Sequence, residues 1–460
     1  MGQSTPWDQI FKAKHCYGLK YPSSFDPERV SLKNKHLGRS DLETYMPGSD
    51  FSNVMGLRWK HIASASNIGG IIYPESFDVT EAVFSGKDIS KSDFSRVKGI
   101  HWDLIKNAAE IWGIVYPADF SFEKAVLKGR YIGGSDFRRV KNLRWDHIKE
   151  VKGLNQVVYP DGFDADSAAF HNCNIYESDF SRVKKLRWAQ IQKAEHIFGI
   201  SFPAEFDIEQ ADFNEDDSYK PRDLSRCDFR LCRSLEWKQV KNAGDLSGIR
   251  YPEAFDPDQA DFRGIEITGS DFSLAQKIRW CHIAIAKDAS GLVFPETFNP
   301  DDIDSLDRNF TGNNYYNVKS LKWKHIKDAR YIAGVVYPEG FDISDADLTG
   351  KEIRYSDLGD VEGLTWQQIK VADHDLRGIR YPKGIDLSQA DFSDKEIAES
   401  DFRFATGLSW KQITAQSGWK KRLGIKKNLR GVRFPKDFDF AGAQMEGFDL
   451  RYCDFSQMEK

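Results

Sequence analysis

The sequence predicts a repeat solenoid in which square coils of extended chain alternate with helices. One observation is that Trp recurs at ten places, with spacings of 52, 43, 43, 43, 49, 43, 43, 43 and 44 residues, and that an aromatic-Pro pair follows each of them. A second observation is that part of each repeat divides into blocks of five residues with an apolar residue or Pro at the centre. Such a fixed period is typical of stacked, equivalent units, so we interpret residues 1–460 as a single solenoid.

The first half of each repeat is a run of four pentapeptides, such as FDPDQ-ADFRG-IEITG-SDFSL at 255–274. A period of five matches neither a helix nor a plain strand. It fits a chain that turns a corner every five residues and points one side chain per side inward. Four blocks therefore predict one square coil. The predicted organisation is an N-terminal cap over about 1–24, repeat units over 25–437 and a C-terminal pentapeptide coil over 438–457.

The second half of each repeat predicts an amphipathic helix. In the repeat at 97–119, the apolar residues Trp102, Ile105 and Ala108 lie near helical spacing. We expect a helix from about Trp102 to Ile111, ended by Gly113 and followed by a short extended stretch that Pro117 stops.

The geometry of stacking leaves two arrangements open. Coils of extended chain rise by about 4.8 Å, whereas packed helices need about 8–10 Å. If each repeat adds one coil and one helix, the helical side fans outward and the solenoid is curved or superhelical, which is the form we expect. Alternatively, the helix and the extended stretch form a second coil, and the rod is straighter.

Several blocks, among them ADFRG, ADLTG, ADFSD, SDFSR and CDFSQ, match a tandem A(D/N)LXX pattern. The sequence therefore resembles the pentapeptide-repeat family, and the connector GLTWQQIKVA at 363–372 looks like helical inserts found in that family. The resemblance implies a right-handed quadrilateral β-helix. It departs from the family in two respects. Only one coil is complete before a predicted helix intervenes, and large side chains replace Ala or Ser at the opening position of many repeats. We expect these side chains to pack on the repeated Trp at the seam between coil and helix. The large opening residues are Phe77, Phe163, Phe206, Phe341 and Ile385. The predicted core Trp residues are Trp59, Trp102, Trp145, Trp188, Trp237, Trp280, Trp323, Trp366 and Trp410.

Composition excludes several classes of protein. The chain has 65 Lys and Arg against 70 Asp and Glu, and the resulting net charge of −5 argues against a dedicated basic nucleic-acid-binding protein. The 6 Cys residues are too sparse for a disulfide scaffold. The N-terminal sequence has no apolar signal core and no apolar run is long enough to span a membrane. We therefore expect a cytoplasmic protein.

Residues with catalytic potential recur as part of the repeat, which favours structural roles. An Asp precedes the centre of the last block in eight repeats, and we expect this row to be exposed and to bond to turn amides. His or Gln follows each of eight Trp residues at the second position, which indicates an exposed hydrogen-bonding position and not a zinc site. Cys173, Cys227 and Cys453 are predicted to be small inward residues, and Cys232 stands at a position that is Val in other repeats. Since no nucleotide-binding, hydrolase or metalloprotease motif occurs, we expect no enzyme activity, no metal and no cofactor.

Basic residues are the best candidates for binding. Where the pentapeptide run meets the predicted helix, they recur in three successive repeats and form a candidate basic stripe, which could bind phosphates. The stripe comprises Arg96, Lys98, Arg139, Lys141, Arg144, Arg182, Lys184 and Arg187. Three insertions break the period, near 43–49, near 216–221 and in the tenth repeat. The last carries a candidate basic patch, which suits nucleic acid, an anionic surface or an acidic protein face; alternatively, this insertion caps the solenoid. The patch comprises Lys420, Lys421, Arg422, Lys426, Lys427 and Arg430.

We expect a non-enzymatic scaffold that presents a repeated surface to a macromolecule, with a protein as the expected partner. Binding of nucleic acid or an anionic surface through the stripe and the patch is the alternative from a different class. The family resemblance implies two further possibilities, a bacterial effector delivered into a host cell and a DNA mimic that interacts with a topoisomerase.

Overall fold

The computed structural model describes residues 20–21, 23–38, 48–213, 221–392, 394–414, 428–439 and 453–454. The chain divides into two compact units. Unit 1 is Met1–Arg233 with Asn242–Gly244, and unit 2 is Ser234–Lys241 with Asp245–Lys460.

Each unit contains coils joined by single parallel bridges. In unit 1, for example, Ile72 pairs with Asp93, Asp93 with Val115, and Val115 with Asp136, so that paired residues lie alternately 21 and 22 positions apart. Within the described ranges these pairs are isolated bridges, and none of them extends into a strand of several residues. The main ladder of unit 1 runs through Lys20, Asp50, Ile72, Asp93, Val115, Asp136, Val158, Asp179, Ser201 and Asp228. That of unit 2 runs through Arg250, Asp271, Val293, Asn314, Val336, Asp357, Arg380, Asp401, Arg433 and Asp454.

These spacings show that one 43-residue repeat makes two coils. One coil contains the pentapeptides, and the other contains the Trp segment and the extended stretch before the aromatic-Pro pair. The prediction of one coil plus one packed helix per repeat is therefore wrong, and the alternative with a second coil describes the local topology. The reason offered for curvature, which was the spacing of packed helices, does not apply to this arrangement.

The α-helices are single turns, much shorter than predicted. The one at Trp102 ends at Ile105 instead of Ile111, and Gly113 lies beyond it in a separate turn, with a φ of 70°. The helices of unit 1 are α1 Trp59–Ile62, α2 Trp102–Ile105, α3 Trp145–Ile148 and α4 Trp188–Ile191. Those of unit 2 are α5 Trp237–Val240, α6 Trp280–Ile283, α7 Trp366–Ile369 and α8 Trp410–Thr414. The 3₁₀ turns are Pro27–Arg29, Ile208–Gln210, Pro257–Gln259, Pro300–Asp302 and Trp323–His325.

Aromatic rings fill the interior of the coils. The ring after the Asp of one coil stacks on the ring of the aromatic-Pro pair, as between Tyr251 and Phe272, whose centroids are 4.6 Å apart at an interplanar angle of 5°. This separation matches the spacing of neighbouring extended chains, about 4.8 Å. The two kinds of coil differ in sequence but place a ring at the same point, so rings of neighbouring coils form stacked pairs, as Tyr73 does with Phe94.

The large opening residues also lie in this interior and do not pack where we expected. Phe77 lies 4.7 Å from the ring of Tyr73, and Phe163 lies 4.9 Å from that of Tyr159. The Trp rings instead contact the Phe at the centre of the second block, as Trp59 contacts Phe84 at 5.2 Å. The cause is local, because the opening residue follows the aromatic-Pro pair across a single turn, in which the Phe77 N–H donates to the carbonyl of Pro74.

Candidate interaction surface

The His and Gln residues that follow Trp cap the one-turn helices. His147 Nδ1 accepts a hydrogen bond from the backbone N–H of Arg144 at 3.1 Å, and Gln368 Oε1 accepts the corresponding bond from Thr365 at 2.9 Å. An acceptor at this place satisfies an N–H group that a helix start leaves without a partner. His and Gln interchange because both offer an acceptor two bonds from a donor. Their position is largely enclosed, contrary to our expectation of an exposed site, and the His325 side chain is 7% exposed.

The second polar atom of these side chains contacts the neighbouring coil. His282 Nε2 lies 3.0 Å from Asp258 Oδ1, and His325 Nε2 lies 2.9 Å from Asp301 Oδ1. Since Nδ1 acts as an acceptor, the proton of the neutral ring is on Nε2 and is donated to the carboxylate. Both ring nitrogens are thus engaged, which leaves neither available as a general base.

Basic side chains cap the other end of the helical turns. Lys87 Nζ donates to the carbonyl of Ala63 at 2.9 Å, and Arg130 Nη2 donates to that of Ala108 at 2.8 Å. In unit 2, Lys395 is 5% exposed and its Nζ donates to the carbonyls of Lys370 and Ala372, both at 3.1 Å. These residues satisfy carbonyls that a helix end leaves open. The sequence analysis did not identify these capping residues, although Lys or Arg recurs six positions before the Asp residues of the main ladder.

The repeated Asp residues bond to turn amides, as predicted. Asp93 Oδ1 accepts from the N–H of Ser95 at 2.8 Å, and Asp271 Oδ1 accepts from Ser273 at 2.8 Å. They are less exposed than expected, and Asp401 is only 6% exposed. Burial opposes ionisation of Asp401, but hydrogen bonds from Arg403 outweigh it and keep the pKa of this carboxyl lowered. Their role is therefore to hold the corner beside the ladder.

Three of the Cys residues predicted to be structural are buried or half-buried in the described part of the chain. Cys227 and Cys232 are buried, and burial raises the pKa of each thiol to about 12. Cys227 Sγ donates to the carbonyl of Ile197 at 3.3 Å. Cys173 is half-buried and stands where other coils carry a capping Lys or Arg, and burial raises the pKa of its thiol. Thiols with raised pKa values are poor nucleophiles at neutral pH.

The repeated Trp rings lie at the border of the core. Most are nearly buried, as Trp102 is 8% exposed and Trp280 is 7% exposed. Trp237 and Trp323 are half-buried. Several of the rings contact an interior Phe, as Trp145 contacts Phe170 at 4.9 Å.

The residues of the basic stripe are exposed, but acidic turns alternate with them. Because each repeat makes two coils, the turn after an aromatic-Pro pair lies between successive basic turns. Glu75 is 3.8 Å from Lys98, and Asp161 is 3.7 Å from Arg182. The stripe is therefore interleaved with opposite charge, and phosphate binding by it stays a prediction.

The candidate basic patch falls mostly outside the described residues. Lys420, Lys421, Arg422, Lys426 and Lys427 lie in the range 415–427, which the structure does not describe. Arg430 belongs to the described residues and is half-buried beside the turn at Gly431. Most of the insertions near 43–49 and 216–221 also lie outside the described ranges.

In the described part of the chain, no three or more His, Cys, Asp or Glu side chains are grouped so that they could hold a metal ion. The helices in the same ranges are one turn long, and none could cross a bilayer. The His, Gln, Lys, Arg and Asp side chains described above are instead distributed along the coils, where they cap helical turns or bond to turn amides.

Comparisons with known proteins give only weak similarities. No family model and no curated protein sequence matches the chain. The structure of QnrB1, a plasmid-mediated fluoroquinolone resistance protein, aligns at 12% identity over 65% of this chain and 86% of that chain, with a TM-score of 0.10. That of HetL, a pentapeptide repeat protein involved in heterocyst differentiation regulation from the cyanobacterium Nostoc sp. strain PCC 7120, aligns at 10% identity over 85% and 86%, with a TM-score of 0.08. TM-scores this low do not establish a shared fold.

Proposed function

We propose that the chain is a pentapeptide-repeat type of β-helix that acts as a non-enzymatic scaffold for binding another protein. The observation that carries the proposal is that the recurring polar side chains support the fold, whereas the outward-facing side chains vary. The recurring His, Gln, Asp, Lys and Arg residues are engaged in caps and turns, as with His325 between Lys322 and Asp301. Variation is left to outward positions, which is how repeat proteins carry specificity on a common frame.

The corner that precedes the main ladder illustrates this variation. In unit 1 it carries large side chains such as Trp112 and Phe198, while in unit 2 the same turn position carries Ser290 and Thr311. The backbone of the turn is alike in both units, since each turn donates an N–H to a carbonyl of the next coil. Side-chain differences on an unchanged frame support binding by surface and not a reaction at one place.

The test is affinity capture with the full chain, followed by chemical cross-linking and treatment with nuclease. We expect a discrete protein to remain bound after nuclease, and cross-links to map to outward positions of the coils. Recovery of nucleic acid, with loss of all protein after nuclease, would contradict the proposal and favour the basic patch of the tenth repeat.

A further inference from the structure

A cavity in unit 1 lies beside Leu104, which stands where the other repeats described above carry the capping His or Gln. Its volume is about 560 Å³, and it lies between residues 77–80 of one coil and residues 98–104 of the next. The Leu104 side chain is half-buried and has no polar atom. The hydrogen bonds that the cap makes in other repeats are therefore missing here.

Two repeats of unit 2 show which bonds form at this place when a Gln is present. The blocks that precede these two Gln residues, FDIS and IDLS, resemble the block FDVT at 77–80. Gln368 Nε2 donates to the carbonyls of Ile343 at 2.6 Å and Ser344 at 3.1 Å. Gln412 makes the two corresponding bonds, at 3.0 and 2.8 Å. A carboxamide thus bonds to the preceding coil in both repeats.

The equivalent backbone groups beside Leu104 lack these partners. Among the described residues, the carbonyl of Thr80 accepts no hydrogen bond and the N–H of His101 donates none. In the Gln368 repeat, the matching N–H of Thr365 donates to Gln368 Oε1 at 2.9 Å. The Thr80 hydroxyl does not replace the missing donor, since it donates to Asp78 at 2.7 Å.

The two coils are also less closely joined here than beside Gln368. The N–H of Ile343 donates to the carbonyl of Glu362 at 3.0 Å, but the matching N–H of Val79 makes no hydrogen bond among the described residues. A Cβ added at Gly363 would lie 2.7 Å from the nearest side chain, whereas one added at the matching Gly99 would lie 3.5 Å from its nearest neighbour. The cavity therefore opens where the backbone groups are unmatched.

These groups select the class of ligand. Carbonyl oxygens repel a carboxylate or a phosphate, and Lys98 at the rim is 3.8 Å from Glu75. An imidazole in this place pairs with a carboxylate in other repeats, as His282 does with Asp258 at 3.0 Å, but Thr80 stands at that position here. A carboxamide carries an acceptor and a donor on one carbon and needs no charge nearby.

We propose that the cavity beside Leu104 binds the carboxamide of a Gln or Asn side chain from a partner protein. The amide nitrogen donates to the carbonyls of Val79 and Thr80, and the amide oxygen accepts the N–H of His101. The aliphatic part of the side chain covers Phe77, which lines the cavity. This inference rests on the proposed scaffold function and names one site at which the partner is held.

Two variants of similar side-chain length test whether the backbone groups lack partners. Leu104→Gln supplies the carboxamide from within the chain, whereas Leu104→Met ends in a group that forms no such bonds. We expect a higher urea midpoint for Leu104→Gln than for Leu104→Met, because only the Gln satisfies the N–H and the carbonyls. Equal midpoints would overturn the assignment of unmatched groups.

Binding is tested with a displayed library of peptides of about eight residues, long enough to extend beyond the cavity on both sides. The library is selected on the wild-type full chain. We expect enriched peptides to share a Gln or Asn and to bind Leu104→Met within about threefold of wild type. They should bind Leu104→Gln at least about tenfold more weakly, since its own carboxamide occupies the site.

The peptides provide a matched control of their own. Replacement of the shared Gln by Glu, or of the shared Asn by Asp, should weaken binding at least about tenfold, because a carboxylate cannot donate to the carbonyls. Absence of a shared Gln or Asn among the enriched peptides, or equal binding to wild type and Leu104→Gln, would overturn the proposal. Enrichment of a shared His or Arg would overturn the choice of carboxamide.

A free amide is the other source of the same chemistry, and propionamide is the probe for it. In NMR spectra of the backbone amides, propionamide should shift the His101 signal in wild type and Leu104→Met but not in Leu104→Gln. Propionate is the control and should shift it in none of the three chains. A shift by propionamide without enrichment of any peptide would assign the cavity to a small molecule and overturn the partner side chain.

Failure of this inference is distinct from failure of the scaffold function. Leu104→Gln that still captures the same cross-linked protein as wild type would refute the cavity as the contact and leave the scaffold function intact. Wild-type chain that captures neither protein nor peptide would refute both.

Discussion

The exchange of His and Gln at one position shows how a single residue serves the fold. His147 and Gln190 both accept the N–H of the residue before the helix, at 3.1 and 2.6 Å. They differ in one property, since only His can be protonated near neutral pH. Protonation of Nδ1 would turn this acceptor into a donor that faces another donor. The two residue types are thus equivalent above the pKa of His and unequal below it.

The variant His147→Gln should therefore reduce the sensitivity of stability to acid. Burial, and then the nearby Arg144, lower the pKa of His147, with partial opposition from Asp146. The unfolded chain takes up a proton near pH 6.5 that the folded chain refuses, so this position lowers stability as pH falls below about 6.5. We expect similar urea midpoints for both chains near pH 7.5 and a smaller loss for the variant near pH 5. Parallel pH profiles would rule out this role of His147.

Buried tyrosine hydroxyls are a second feature at this scale. Tyr73, Tyr159, Tyr251 and Tyr381 have enclosed hydroxyls that make no hydrogen bond within the described part of the chain. Burial raises the pKa of Tyr251 well above its ordinary value. Other repeats place Phe in the same stack, as at Phe294. A buried hydroxyl without a partner is destabilising relative to an apolar group of the same shape.

We predict that Tyr251→Phe raises the free energy of unfolding by about 0.5–1.5 kcal/mol, because it removes the cost of enclosing the hydroxyl. Tyr315→Phe is the control, since Tyr315 Oη accepts from Asn313 Nδ2 at 3.3 Å and the change would lose this bond. The measurement is chemical denaturation of the three chains. A destabilised Tyr251→Phe variant would mean that the hydroxyl has a partner.

Element-scale structure departs from the sequence prediction in an informative way. The pentapeptide coil could be predicted because its period of five differs from the periods of helix and strand. The second coil could not, because Trp102, Ile105 and Ala108 satisfy helical spacing whether the chain makes one turn or three. After Ile105 the chain turns, and Ala109 donates its N–H to the carbonyl of Lys87 in the adjacent coil. Contacts between coils, which a local pattern does not contain, thus decide where the helix ends.

The candidate site also has some features that the sequence predicted and others that it did not. The sequence correctly predicted that the repeated Asp bonds to turn amides, because that contact is local. The large side chains at the corner before the main ladder were missed, since Trp112 and Phe198 look like core residues at helical spacing. Only the pairing of 21 and 22 residues puts them on one corner. The available signal was the large side chain at a position that is Ser, Thr or Gly in several other coils.

The capping Lys and Arg residues make a prediction at this scale. Lys395→Met should lower the free energy of unfolding by about 2–3 kcal/mol, since the carbonyls of Lys370 and Ala372 lose a charged donor. The size of the new side chain is not the cause of this expected loss, because an apolar residue of similar size, Ile265, occupies the equivalent place in another coil. Lys395→Arg should retain most of the stability, since Arg308 caps Ala284 at 3.1 Å. Equal losses in both variants, measured by denaturation, would show that the site depends on shape alone.

At the scale of the molecule, hydrogen bonds and ring stacks within each unit join neighbouring coils. Lys87, for example, donates to Ala63, and its own carbonyl accepts from Ala109. Stability in such a stack is close to a sum of local terms and nearest-neighbour terms. A local defect should then have a local effect.

Hydrogen exchange tests this expectation with the variant Lys87→Met. We expect faster exchange of amides between 60 and 115, where the capped turn and its adjacent coils lie, and unchanged exchange between 266 and 362 in unit 2. Wild-type chain under the same conditions is the reference. Uniform acceleration throughout the chain would indicate a single cooperative transition.

The alternation of two kinds of coil restricts how such a chain can change in length. A coil that carries the Asp and its following ring lies between coils that carry an aromatic-Pro pair, as Asp93 lies between Ile72 and Val115. Removal of a single coil would bring two coils of one kind together, and the capping His or Lys would face the wrong neighbour. Removal or duplication of a whole 43-residue repeat preserves every pairing. Within a unit, we therefore expect insertions and deletions to be tolerated in steps of two coils.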